Sequence, residues 1–246
     1  MNGRLLLLCS VAFAALAAMA FVDPIAQDPG YHLFADGASR LGIPNFWNVA
    51  TNLPFLAVGA AGLLHVRQAV QPLHFVVYCA GVALVAVGSG WYHLAPSDPA
   101  LVFDRLPMTV AFMALFSAVI GDRVSPALGR STLWPLVAIG IGSIGWWHWT
   151  EQAGAGDLRA YALVQFLPMI LIPLMLALFP GRGLRARWLW SGLGAYAAAK
   201  VAEYFDAAIL AATGVLGGHG VKHLLAALAA WWIVRAFLQM SPARAL

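Results

Sequence analysis

The sequence predicts an all-α polytopic membrane protein, a seven-transmembrane-helix core with an additional N-terminal apolar helix or signal segment. Of its 246 residues, 62% are hydrophobic and 10% charged, against roughly 25% charged in an ordinary soluble domain. The apolar residues gather in eight stretches of about 20 residues each, the length of a helix that crosses a hydrocarbon core. Those runs are too long and too continuously apolar for barrel strands, and a helix pairs its own backbone amides in lipid. Little chain is left over for a separate soluble domain.

In order, the spans lie near 4–22, 46–66, 72–94, 104–121, 133–150, 160–179, 188–212 and 218–238. The chain therefore divides into an N-terminal helix or cleavable segment (1–22), an external acidic segment (23–45), a seven-helix core (46–238) and a short tail (239–246). Arg4 precedes the first apolar run, which ends in Ala18-Met19-Ala20, a small-x-small pattern that signal peptidase can cut. Retention and cleavage are both open. Cys9 and Cys79 lie inside apolar runs, at neither metal-ligand nor bridging positions. Spacings such as Ala138 with Gly142 serve close helix approach. Trp47, Trp146, Trp147, Trp149, Trp231 and Trp232 read as interfacial or packing residues.

The formal charge of +4 is scattered along the chain and forms no basic cluster, so a nucleic-acid partner is not expected. Nothing implies an obligate protein partner. Asp23, Asp28 and Asp36 outweigh Arg40 in the first connection, whereas Arg67, then Arg123 and Arg130, then Arg182, Arg185 and Arg187 occupy alternate later ones. The positive-inside rule places those basic turns and Arg244 of the tail inside. The first connection and the turns near Asp98, Asp157 and Arg159 then face outside.

Ionisable residues within apolar spans need a partner, a cavity or a cofactor to offset their desolvation. Here they converge on the outer level. The third span ends in Ser89-Gly90-Trp91-Tyr92-His93, the fourth begins at Asp104, and the last opens with His219-Gly220-Val221-Lys222-His223. Residues four apart share a helix face, so Ser89 with His93, and His219 with His223, form two projecting pairs. Three imidazoles plus a water make a tetrahedral zinc site with an open position. Asp104 is placed to act as a base, and Ser89 to donate to a developing oxyanion. The competing explanation is that the histidines satisfy helix carbonyls or one another, while Asp104 favours a helix start. Spacing alone leaves both standing.

His148, Glu151, Lys200, Glu203 and Asp206 approach the same level as a supporting shell rather than as ligands. Glu203 and Asp206 could pair with Lys200 or Lys222, or hold the second nitrogens of the histidine rings. His32, His65 and His74 fall in or near connections and read as solvated or interfacial. Arg159 is placed to meet a lipid headgroup.

Over about 30–238 the chain resembles the alkaline ceramidase family, within the seven-span membrane hydrolases that include the adiponectin and progestin receptors. The resemblance rests on Pro44-Asn45-Phe46-Trp47-Asn48-Val49-Ala50-Thr51-Asn52, on Ser89-x-x-x-His93 with Asp104 beyond it, and on His219-x-x-x-His223. It implies zinc held by His93, His219 and His223, with Ser89 polarising the substrate and Asp104 assisting the metal-bound water. The implied activity is zinc-dependent intramembrane amide hydrolysis, cleaving ceramide to a sphingoid base and a free fatty acid by attack of metal-bound hydroxide, with ceramide or another N-acyl lipid as the membrane substrate. The alternative is a zinc-containing lipid receptor with little turnover.

One departure concerns calcium. Asp36 and Asn45 fall at two of the family's calcium-ligand positions, but the others align with Tyr31, His32 and Phe34, which supply no carboxylate. That weighs against calcium dependence, although Asp23, Asp28 and backbone carbonyls could assemble a different site. Short loops and an Ala-rich composition suit a bacterial inner membrane, with the active site toward the periplasmic side.

Overall fold

The computed structural model describes residues 3–238. The tail 239–246, with Arg244, lies outside the described residues. The architecture is a bundle of long helices, and seven of them are long and apolar enough to cross a membrane. The protein is an integral membrane protein. These helices include the N-terminal α1 (Gly3–Ala20), which lays one side of Leu8, Val11 and Ala12 on the bundle and buries no residue completely.

The next expected span is interrupted. It forms α2 (Phe46–Ala50) and α3 (Leu53–Leu64), separated at Thr51 and Asn52. Then follow α4 (Pro72–Leu94), α5 (Asp98–Arg123), α6 (Pro126–Gln152) and α7 (Arg159–Leu178). α5 and α6 each start earlier than hydropathy alone places them. Ser97 caps α5 and Ser125 caps α6 with their side-chain oxygens, and Pro99 and Pro126 fit the first turns because those positions need no amide donor. The span expected over 188–212 breaks at Phe205 into α8 (Ala186–Tyr204) and α9 (Asp206–Thr213). α8 is long enough to span but carries Arg187, Lys200 and Glu203. The chain closes with α10 (Gly218–Phe237).

α5 is the central post, packed by α4, α6 and α7, while α10 lies against α8 and α3. Its position depends on one glycine contact. Pro107 has no amide hydrogen, so the Phe103 carbonyl loses its helical partner one turn earlier. Gly88 of α4 fills that place, and a Cβ there would overlap the Phe103 oxygen. The close approach sets Ser89 beside Asp104.

Two histidines expected to be solvated or interfacial have protein partners instead. His74 is buried, its Nε2 bonded 3.0 Å from the Gly129 carbonyl oxygen. His32 bonds Tyr92 Oη through Nδ1 at 2.9 Å and Asp98 through Nε2 at 3.1 Å. In both cases a partner distant in sequence replaces water. His65 remains exposed and bonds the Ala61 carbonyl.

Candidate active site

The last turn of α4 and the first turns of α10 meet at one end of the bundle, bringing together three buried imidazoles: His93, His219 and His223. Their ring centroids form a nearly equilateral triangle, at 5.0 Å for His93–His219 and 4.9 Å for the other two pairs. One nitrogen from each lies within 4.8 Å of the others, close enough for the set to address a single ion.

Two further observations fit a metal. His93 Nδ1 is buried with no hydrogen-bond partner, a cost that a bound ion would remove. The Thr51 hydroxyl donates its proton to the Trp47 carbonyl at 2.6 Å, yet also lies 2.9 Å from His223 Nδ1. The hydroxyl has one hydrogen, so Nδ1–H of His223 must be the donor, and in the neutral ring Nε2 keeps its lone pair. Fixing the tautomer through the second nitrogen is how metal-binding histidines are held. A buried set of three imidazoles is a donor set that zinc takes.

Ser89 and Asp104 are both buried, and the Ser89 hydroxyl lies near enough to act on the Asp104 carboxylate. With His223 they line a cavity of about 510 Å³ that runs into the bundle between α5, α7, α8 and α10. Its deeper walls are apolar, including Val82, Met108, Leu115, Ile172 and Ile233. The cavity is polar where it meets His223, Ser89 and Asp104 and apolar below.

The supporting shell separates into distinct roles. Glu203 accepts from both Lys200 and Lys222, and Lys222 Nζ also donates to His219 Nε2 at 2.9 Å. Asp206 accepts the backbone N–H of His219 at 2.8 Å and of Ala35 at 2.9 Å, so it fixes the start of α10 and the segment above it. Glu151 binds the Gln27 amide and the Trp147 indole, away from the imidazoles, and His148 contacts Gln152. Among the described residues no carboxylate bonds a ring nitrogen of His93, His219 or His223; Thr51 holds that of His223. Arg159 is committed to Asp157 and the Val22 carbonyl.

Several contributors carried no spacing signal. Phe34 covers the triad, its ring 4.7 Å from His93 and 4.5 Å from His219. Asn45, in a left-handed backbone conformation at φ +46°, donates to the His93 carbonyl at 2.9 Å. That contact engages one of the two calcium-aligned positions, while Asp36 accepts from Ala38 N.

The chain matches the ceramidase family over residues 41–179, more than half its length. It belongs to the ceramidase family. The matched stretch contains the Asn45–Asn52 motif, Ser89, His93 and Asp104, while His219 and His223 lie beyond it and join them through the fold. No curated protein and no solved structure matches the chain. Family membership supports a ceramide-hydrolysing membrane enzyme, and the three-histidine group could hold a metal.

Proposed function

We propose that this ceramidase is a zinc-dependent amidohydrolase that cleaves ceramide or a related N-acyl lipid to a free amine and a fatty acid. The observation that carries this reading is the cluster of three buried imidazoles, with Ser89 and Asp104 facing the same largely apolar cavity as His223. His93, His219 and His223 would hold the zinc. When bound, zinc supplies Lewis acidity for the carbonyl and lowers the pKa of a coordinated water.

This chain's own groups complete the chemistry. The apolar cavity wall keeps the acyl chain out of water and sets the amide at the level of Ser89. The Ser89 hydroxyl donates to the carbonyl oxygen, most strongly as negative charge develops there. Asp104 takes a proton from the attacking water and delivers it to the leaving nitrogen. The new C–O bond and the broken C–N bond then leave a carboxylic acid and an amine. We place the active site at the periplasmic face of a bacterial inner membrane, from the charge asymmetry of the connections.

The test is to incubate purified, metal-quantified protein with ceramides and simple N-acyl lipids, following released fatty acid by mass spectrometry beside Asp104→Asn. Zinc-dependent release that the variant lacks supports the proposal. Absence of release from protein carrying one zinc would sink the hydrolase reading in favour of a lipid receptor.

A further inference from the structure

Five charged side chains of the bundle line the cavity: Arg105, Lys200 and Lys222 against Asp104 and Glu203. Their distribution is uneven. Glu203 receives both lysines. Ser89 acts on Asp104. Asp28, at the exposed rim, already accepts the Gly30 amide at 2.8 Å. Of the three cations only Arg105 makes no ion pair among the described residues, and Asp104, its neighbour in sequence, acts on it at longer range.

Arg105 is 5% exposed, and among the described residues its one hydrogen-bond partner is neutral: Nη2 donates to Gln27 Oε1 at 2.8 Å. Nη1 is buried with no acceptor. The guanidinium lies over Trp147 at 4.4 Å, Tyr161 at 4.9 Å and Tyr31 at 5.4 Å. Ring faces compensate part of the charge but accept none of the in-plane N–H bonds, which are what an arginine fork offers a carboxylate or phosphate. A buried cation with donors to spare, on the wall of a cavity, is a ligand-binding feature rather than a packing one.

Its level says which part of a ligand it meets. Arg105 follows Asp104 directly and packs under Tyr31 and Gln27, whereas the walls turn apolar from Met108 inward. An acyl chain belongs below, and the amine-bearing head belongs beside Arg105. We propose that Arg105 is a specificity-determining residue that receives an anionic group on the head side of the lipid amide. The preferred substrate class is then an N-acyl lipid whose amine portion carries a carboxylate, phosphate or sulfonate, rather than a neutral ceramide. This deepens the lipid-amide reading of the same cavity and rests on it for the identity of the cleaved bond.

Binding and turnover are measured separately on the full chain in nanodiscs. Binding uses two amphiphiles without an amide, hexadecyloxyacetic acid and the matching neutral hexadecyloxyethanol, with palmitate as a third ligand, and is read by isothermal titration calorimetry. Turnover compares N-palmitoylserine with neutral N-palmitoylserinol. The acidic ether should bind wild-type protein at least about tenfold tighter than the neutral one, the scale of a charge-assisted hydrogen bond. Arg105→Gln should abolish that difference, and Arg105→Lys, which keeps charge but loses the fork, should retain part of it. In turnover the preference should appear in KM. Equal binding of the two ethers by wild-type protein overturns the inference without any variant. Charge dependence confined to palmitate overturns it too, assigning Arg105 to the released fatty acid. A preserved binding preference with neither amide cleaved leaves the anion site standing and removes the hydrolase reading.

Discussion

Three imidazoles, one hydroxyl and one carboxylate meet at the site, and single substitutions separate their roles. His93→Ala, His219→Ala or His223→Ala should each remove most bound zinc, read as metal per protein by mass spectrometry. Ser89→Ala and Asp104→Asn should keep the zinc while turnover falls by about 10²–10⁴, the range for losing an oxyanion donor or a general base. Equal loss of folding in all five would refute the division. Thr51→Val preserves shape but removes the acceptor that orients His223, so zinc affinity should fall about 10–100-fold. Competition with a calibrated chelator measures it, and unchanged affinity would remove Thr51 from the site. The histidine pairs were legible because four-residue spacing fixes a shared helix face. Thr51 was not, since its contact with His223 joins residues 172 positions apart. Arg105 likewise gave no pattern, because its meaning lies in a buried Nη1 that has no acceptor among the described residues.

The elements turn those spacings into a site through their ends and breaks. Hydropathy located the long helices, because a run of apolar residues is itself the physical requirement for crossing lipid. It missed the breaks at Thr51–Asn52 and Phe205, since an interruption inside the bundle leaves the average hydropathy of the run almost unchanged. Both breaks matter: one presents Thr51 to His223, and the other lets Asp206 hold the His219 amide. The α4–α5 contact is a sensitive point. Gly88→Ala places a methyl on the Phe103 carbonyl, and overpacking of that kind costs about 1–3 kcal/mol. The melting temperature in detergent should fall, with Ser89 and Asp104 forced apart and turnover reduced. Gly90 on the same helix has open space around it, so Gly90→Ala should leave stability equal or slightly higher. Identical behaviour of the two variants would show that the approach of α4 to α5 does not set the site.

At the scale of the whole molecule, α1 and the segment after it are tied to the rest of the bundle at the cavity's polar end. Leu158 N donates to the Ile25 carbonyl at 2.8 Å, and Arg159 Nη1 to the Val22 carbonyl at 2.7 Å. Hydropathy could assign α1 as a span or a signal segment, but not these ties, which depend on a loop more than a hundred residues away. Their geometry is set by Asp157, whose oxygens accept the Arg159 amide, Nε and Nη2 and the Trp146 indole. The hydrogen bonds from the Arg159 side chain are the largest cause holding the Asp157 carboxyl down at about 2. A carboxyl depressed on folding stabilises the fold fully above its unfolded value of ~3.9, and the contribution is lost as protons bind on the way down. Between about pH 4 and pH 2 the Asp157–Arg159 clamp should therefore release, freeing the Val22–Gln27 strap from the cavity rim. Hydrogen exchange at the Leu158 and Arg159 amides reads the event. Wild-type protein should lose protection there across that window, relative to amides deep in α5. Asp157→Asn should be less protected already at neutral pH, with no further step in acid. A wild-type protein whose Leu158 and Arg159 amides keep full protection at pH 2, or an Asn variant with the same acid step, would show that something other than Asp157 joins α1 to the bundle.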